Sequence, residues 1–306
     1  MSDVLGVFGG LIKLVSDLLK FWTDHKGRLG RSSKLPVASP EAVAERFVRL
    51  FEAHGVRRSQ IPLFFGHGLT LSSLMDDKTL LSALTDEVLH DAAALFGIHQ
   101  EWLYGATDQV YETHDFYKHP ELFSKFIISL IGRVGAEALE CHALTADYQS
   151  CPHDNALILL AERVGYVVER PIYRYHLCNN WHFSYWKSHV DMYACLAIAY
   201  QREVYPMGRV VQAAWLECHV HGLSLFEYRD PDGVDIPEVG RWWPDQVIDD
   251  PIRFLEGIDG EERGRGHVLA IERWLTYCDD DRFAIYDSEF GPKARIAFEQ
   301  RVAAIA

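Results

Sequence analysis

The residues best suited to chemistry concentrate in YRYHLCNNWHFSYWKSH, residues 173–189, where Tyr173, Tyr175, Trp181, Tyr185 and Trp186 are interleaved with His176 and His182. Aromatic rings with polar edges stack on a flat molecule and hydrogen-bond its rim, so these seven residues are candidate contacts for a small-molecule ligand. The same residue types also suit the mixed face of a strand packed under a helix, and the alternation from Ile172 to Leu177 has that half-buried pattern. Three groups carry metal-ligating types: Cys141-His142 with Cys151 and His153, Cys178 with His182, and Cys218-His219 with His221. None has C-x-x-C or H-E-x-x-H spacing, and neighbouring Cys and His side chains point apart on a regular element, so no metal is expected. The loop Asp230-Pro231-Asp232-Gly233-Val234-Asp235 places its glycine too early for a calcium loop and reads as a turn. Gly-rich phosphate loops, G-x-G-x-x-G and G-x-S-x-G are all missing from the sequence, and no cofactor is expected. An enzyme lacking a local motif stays open, with Cys151 near His153 and Asp154, or Cys218 near His219, the first nucleophiles to examine.

These residues need elements to hold them. Residues 156–169 and 170–177 are rich in Val, Ile and Tyr and read as strands, and residues 188–203 read as a helix. Residues 229–241 and 257–266 read as loops, and Pro292 suits the first turn of a closing helix. The stretch 107–150 reads as helical, with Phe116, Phe123, Phe126, Ile127, Leu130 and Ile131 at three- and four-residue spacings. At the other end, Val4, Phe8, Leu11, Val15, Leu18 and Trp22 make an apolar stripe interrupted by Lys13, Asp17 and Lys20, which argues against a membrane span. The stripe suits a helix docked on its own domain, a seam for self-association, or a helix lying on a membrane surface. The organisation that follows is an amphipathic helix over 1–24, a basic linker over 25–39, a helical bundle over 40–106, a helical connector over 107–154 and an acidic α+β domain over 155–306.

The bundle is the informative part. PEAVAERFVRLFEAHGV begins after Ser39 and stops at Gly55; Arg57-Arg58-Ser59-Gln60 opens a second short helix ending at Gly66; Gly68–Met75 forms a third. LTDEVLHDAAALFGI, capped by Thr85, forms a fourth, and Gln100–Gly105 closes the unit. This succession of short helices resembles the repressor-type (Cro and XRE-like) helix-turn-helix family, most closely in LTDEVLHDAAALFGIHQEWLYGA, over about a fifth of the chain. The resemblance implies that the third helix enters the DNA major groove. Thr70, Ser72 and Ser73 would then meet base edges, with Arg57, Arg58 and Gln60 on phosphates. The chain departs from the pattern: the third helix offers no side chain for the bidentate guanine contact and ends in Asp76-Asp77.

Charge divides along the chain. Net charge is −14, but residues 25–58 carry eight bases against three acids, while residues 111–306 carry 19 bases against 31 acids. An acidic body repels nucleic acid, so DNA contact would run through the basic stretch. Six cysteines with no positively charged n-region ahead of them point to reduced thiols in the cytoplasm. The expectation is an α+β protein that regulates transcription by binding DNA, with a ligand-sensing or assembly region at its C-terminal end. It would self-associate, with residues 4–22 as one candidate seam. The competing expectations are a protein-interaction or oligomeric scaffold built on a degenerate helix-turn-helix unit, and an enzyme without a local motif.

Overall fold

The computed structural model describes residues 40–147, 155–229, 233–259, 265–280 and 291–305. The fold is α+β: a mixed six-stranded sheet with helices against both faces. The stripe of residues 4–22 and the basic linker over 25–39 lie outside the described residues.

The chain enters through α1 (Pro40–Ala53), whose Val43, Ala44, Phe47, Val48, Leu50 and Phe51 recur at helical spacing and are buried. It stops at Gly55, where φ is +86° and the Tyr228 ring leaves no room for a Cβ. A 3-10 turn (Arg58–Gln60) and α2 (Ile61–Phe64) follow, as expected. The third helix does not lie over Gly68–Met75, which is a run of turns; α3 is Asp77–Ala83. Two local causes shift it. Gly66, His67 and Gly68 all hold positive φ, at +75°, +53° and +70°, which a right-handed helix does not tolerate. Thr70, Ser72 and Ser73 then bond to one another and to local backbone, so the helix starts only at Asp76, whose carboxylate accepts from Thr79 N at 2.8 Å. The next helix, α4 (Asp86–Phe96), begins and ends where its sequence indicates: Thr85 accepts from Val88 N, and Gly97 adopts φ +68°. A short α5 (Gln100–Leu103) completes the unit.

The sheet order is β1-β4-β3-β2-β5-β8. Its strands are β1 (Thr113–Asp115), β2 (Leu139–Ala146), β3 (Asn155–Val167), β4 (Arg170–His182), β5 (Pro206–Val211) and β8 (Glu238–Trp242); a two-stranded hairpin of β6 (Tyr228–Arg229) and β7 (Gly233–Val234) stands apart. β1 runs parallel to β4 and β2 parallel to β5, while the remaining pairs are antiparallel. The expected helical connector is therefore only partly helical: α6 (Pro120–Val134) is present, but residues 139–146 form a central strand. LECHALTA is buried along nearly its whole length, so it carries no inside–outside alternation to reveal a strand. β8 likewise occupies part of a stretch expected to be loop.

Alternation along β3 and β4 sorts side chains to two cores. Leu157, Leu159, Ala161, Tyr175 and Leu177 face the helical unit and α8 (Ala213–Val220). Ile158, Leu160, Cys178 and Trp181 face α6, α7 (Trp186–Gln201), and the C-terminal helices. Those helices are α9 (Pro244–Asp249), α10 (Pro251–Phe254), α11 (Arg265–Cys278) and α12 (Gly291–Ile305). Residues 40–111 thus share one apolar cluster with the near sheet face. At that joint His54 is buried between the Phe96 and Tyr175 rings, 4.2 and 5.3 Å away, with Nδ1 2.7 Å from Leu50 O and Nε2 3.3 Å from Tyr111 Oη.

Candidate functional site

The six residues expected to touch DNA occupy one end of the helical unit, and most of their polar atoms are already engaged. Arg58 donates to Leu74 O at 2.7 Å and to Asp77 Oδ1 at 2.7 Å, holding the turn against α3. Gln60 Oε1 accepts from Arg57 N and from Arg170 of β4. Thr70 N donates to Ser73 Oγ, Ser73 Oγ donates to Thr70 O, and the Thr70 and Ser72 hydroxyls lie 2.8 Å apart. Arg57 is exposed, with its side chain turned to solvent. Around this hydrogen-bonded turn three large apolar side chains stand exposed, Leu63 at 82%, Leu71 at 65% and Met75 at 81%, among the exposed polar residues His67, Thr70, Ser72, Asp76 and Lys78. Phe64 of α2 packs on Gly165 near the β3–β4 hairpin tip, where Tyr166 and Val168 are also exposed.

The aromatic stretch does not converge on one pocket. Tyr173 and Tyr175 face the helical unit, and Tyr173 Oη donates to Glu140 of β2. His176 points to the opposite face, 2.8 Å from Glu162 Oε2, while Trp181 is buried on that face and donates to Cys178 O. His182 and Tyr185 are exposed, and Trp186 begins α7 beside Tyr185. Strand alternation separates these side chains, so Tyr173–His176 belongs to a strand, though one with Tyr173, Tyr175 and His176 buried between two covered faces and not half-buried.

Two buried carboxylates organise the far face. Glu162 is 1% exposed and accepts from Arg133 Nε and Nη2 at 2.8 and 2.9 Å, from His176, and lies 3.6 Å from Arg174. Burial pushes its carboxyl up, but the His176 and Arg133 hydrogen bonds outweigh this and hold it below its ordinary value. Asp191 on α7 has no exposed surface and accepts from Arg273 Nε at 2.6 Å, Tyr277 Oη at 2.7 Å and Lys118 N at 3.0 Å. Each carboxylate joins one element to others.

The thiols follow the same pattern. Cys141, Cys178 and Cys195 are buried, and burial pushes Cys141 up to about 12 and the other two well above their ordinary value, which keeps them as inert thiols. Cys141 and His142 face opposite sides of β2 as neighbours on a strand must; Cys151 and His153 lie outside the described residues. No group of three or more His, Cys, Asp or Glu among the described residues could hold a metal ion. No helix of the described residues is long and apolar enough to cross a membrane.

The residues that do enclose a space were not marked as a site by the sequence. A cavity of about 280 Å³ opens between the helical unit and α8, with Arg49 and Trp102 on one side and Trp215, His219, Glu227 and Asp235 on the other. Trp215 and His219 are one helical turn apart and stack at 4.0 Å, and His219 Nδ1 lies 2.7 Å from Trp215 O. The local signal is that i, i+4 aromatic pair; the rest of the lining comes from separate segments, around Arg49, from Trp102 to Val110 and from Leu223 to Asp235. No family model matches the chain, and neither a curated protein nor a solved structure matches it.

Proposed function

We propose that this chain is an assembly protein that associates with a second copy of itself through the end of its helical unit. The observation that carries this reading is the apolar surface of Leu63, Leu71 and Met75 at the place where the resemblance calls for a base-reading helix. Single exposed apolar side chains are ordinary on protein surfaces, but three large ones within residues 63–75, beside the exposed Tyr166 and Val168, suit a contact surface better than a polyanion. Asp76 and Asp77 at the start of α3 work against a phosphate backbone, and the hydroxyls that would meet base edges are bonded locally. This favours the interaction-protein expectation over the DNA-binding one.

Salt separates the two readings by sign. Two copies of net charge −14 repel, so screening strengthens self-association, whereas binding to DNA releases counterions and weakens as salt rises. Light scattering on the full chain should show association that tightens between about 20 and about 300 mM salt. Leu63→Glu with Met75→Glu should weaken it by about tenfold or more at unchanged melting temperature. A chain that stays monomeric throughout overturns the proposal, and a monomer that binds duplex DNA at low salt restores the gene-regulation reading.

A further inference from the structure

The cavity between the helical unit and α8 is lined by opposite charges that do not meet. Arg49 enters it from α1, while Glu227 and Asp235 enter from the two arms of the β6–β7 hairpin. Arg49 and Glu227 make no ion pair among the described residues. The hairpin register, Tyr228 opposite Val234 and Arg229 opposite Gly233, sets Glu227 directly across from Asp235, and Asp235 N donates to Glu227 O at 2.6 Å. Like charges placed opposite each other destabilise a hairpin. Arg229 reaches Asp235 alone, at 3.5 Å, with both side chains largely exposed, so it relieves little of this. The carboxylate pair therefore favours a cation brought in from outside.

The walls are aromatic. Trp102 is held from one side by Arg46, whose guanidinium carbon lies 5.5 Å from the ring centroid and whose Nη1 donates to Trp102 O. Trp215 stacks on His219, and burial holds the His219 imidazole below its ordinary pKa, so at neutral pH Arg49 is the cation of the lining. A purely cationic ligand would meet Arg49, and a purely anionic one would meet two carboxylates. A molecule carrying both charges satisfies both ends.

We infer that this cavity binds a small zwitterion with an apolar body, the chemistry of a free apolar α-amino acid. The guanidinium fork of Arg49 receives the carboxylate, Glu227 and Asp235 receive the ammonium, and the indoles of Trp102 and Trp215 flank the side chain. The volume of about 280 Å³ stands at the small end of ligand pockets, which suits a small molecule. The inference is independent of self-association, since none of the residues lining the cavity belongs to the Leu63–Met75 surface.

Titration calorimetry on the full chain tests it with four probes: L-phenylalanine, L-leucine, 2-phenylethylamine and 3-phenylpropanoate. At least one of the two amino acids should bind saturably at one per chain, and phenylalanine should bind about tenfold or more tightly than either singly charged analogue. Arg49→Gln should narrow the gap between phenylalanine and phenylethylamine, and Glu227→Gln the gap between phenylalanine and phenylpropanoate, each to about threefold or less. Both side chains are on the surface, and an unchanged melting temperature confirms that the variants are folded. The inference is overturned by no saturable binding of either amino acid at about 10 mM, by equal affinity for all three phenyl compounds, or by variants that leave the preferences as they were.

Discussion

The two faces of the sheet are fastened in different ways. On the far face, Glu162 and Asp191 are buried charges, each caught by several directional partners, and between them they tie α6, α7, α11 and the β1–α6 turn into fixed positions. On the near face the helical unit meets the sheet through neutral rings, with His54, Phe96, Tyr111, Tyr175 and Phe226 in mutual contact. A buried charge has few acceptable positions, because losing any partner leaves it unsolvated. Ring contacts are less exacting, and the cavity lies along this softer seam, where two layers can adjust around an added molecule. Arg174 links the two regimes: it approaches Glu162 and also donates to Leu95 O and Ala94 O, which closes the C-terminal carbonyls of α4 at the sheet edge.

The largest effect expected from this difference comes from Arg273. Its removal leaves Asp191, which has no exposed surface, with only Tyr277 and Lys118 N as partners. Arg273→Ala should cost about 3–5 kcal/mol in denaturant unfolding, and adding Asp191→Asn should recover part of the loss by removing the stranded charge. A cost under about 1 kcal/mol would mean that the far face is held by packing alone.

The near-face joint should reveal itself through pH. Burial holds His54 and His189 each at about 4, against 6.5 for a free imidazole. The folded chain keeps both rings neutral while the unfolded chain protonates them, so stability present above 6.5 is lost as pH falls towards 4. Each ring accounts for roughly 3 kcal/mol across that window. The lowered carboxylates Glu140 and Glu162 act further down, below their ordinary value of 4.5. His54→Phe keeps a ring at the joint and should remove roughly 3 kcal/mol of the loss measured over the histidine window, with His189 and the other imidazoles lowered by burial, His114, His142 and His219, supplying the remainder. An unchanged slope would show that the joint does not hold His54 neutral.

Much of this fold was legible because its signals are local. The caps Thr85 and Gly97, the stop at Gly55, the β3–β4 hairpin and the helix over α7 all follow from side chains within a few residues of the feature they set. β2 hides within a stretch of helical spacing because a central strand buried on both faces has no alternation to show. The third helix lies later than Gly68–Met75 because Gly68 holds a positive φ and the Ser/Thr turn after it bonds to itself, which leaves Asp76 as the effective cap. The site was harder still. Period-two alternation spread the aromatic run over two faces, whereas Arg49, Trp102, Trp215 and Glu227 meet only through the packing of α1 and α5 near α8. Nothing within a few residues of any one of them announces the others.

The smallest predicted effect sharpens the contrast between the faces, because it makes the same substitution in an ion pair of similar length. Arg58 Nη2 lies 2.7 Å from Asp77 Oδ1, close to the 2.6 Å separating Arg273 from Asp191, but its partner is 41% exposed where Asp191 is fully covered. Water and dissolved salt screen the first pair and not the second. Arg58→Ala should therefore cost no more than about 1 kcal/mol, most of it from the lost donation to Leu74 O, and that cost should shrink as salt is added. The Arg273→Ala cost should hold nearly constant over the same salt range. Matching salt responses from the two variants would show that burial does not divide the two faces, and the distinction between a charge-locked and a ring-packed layer would have to be given up.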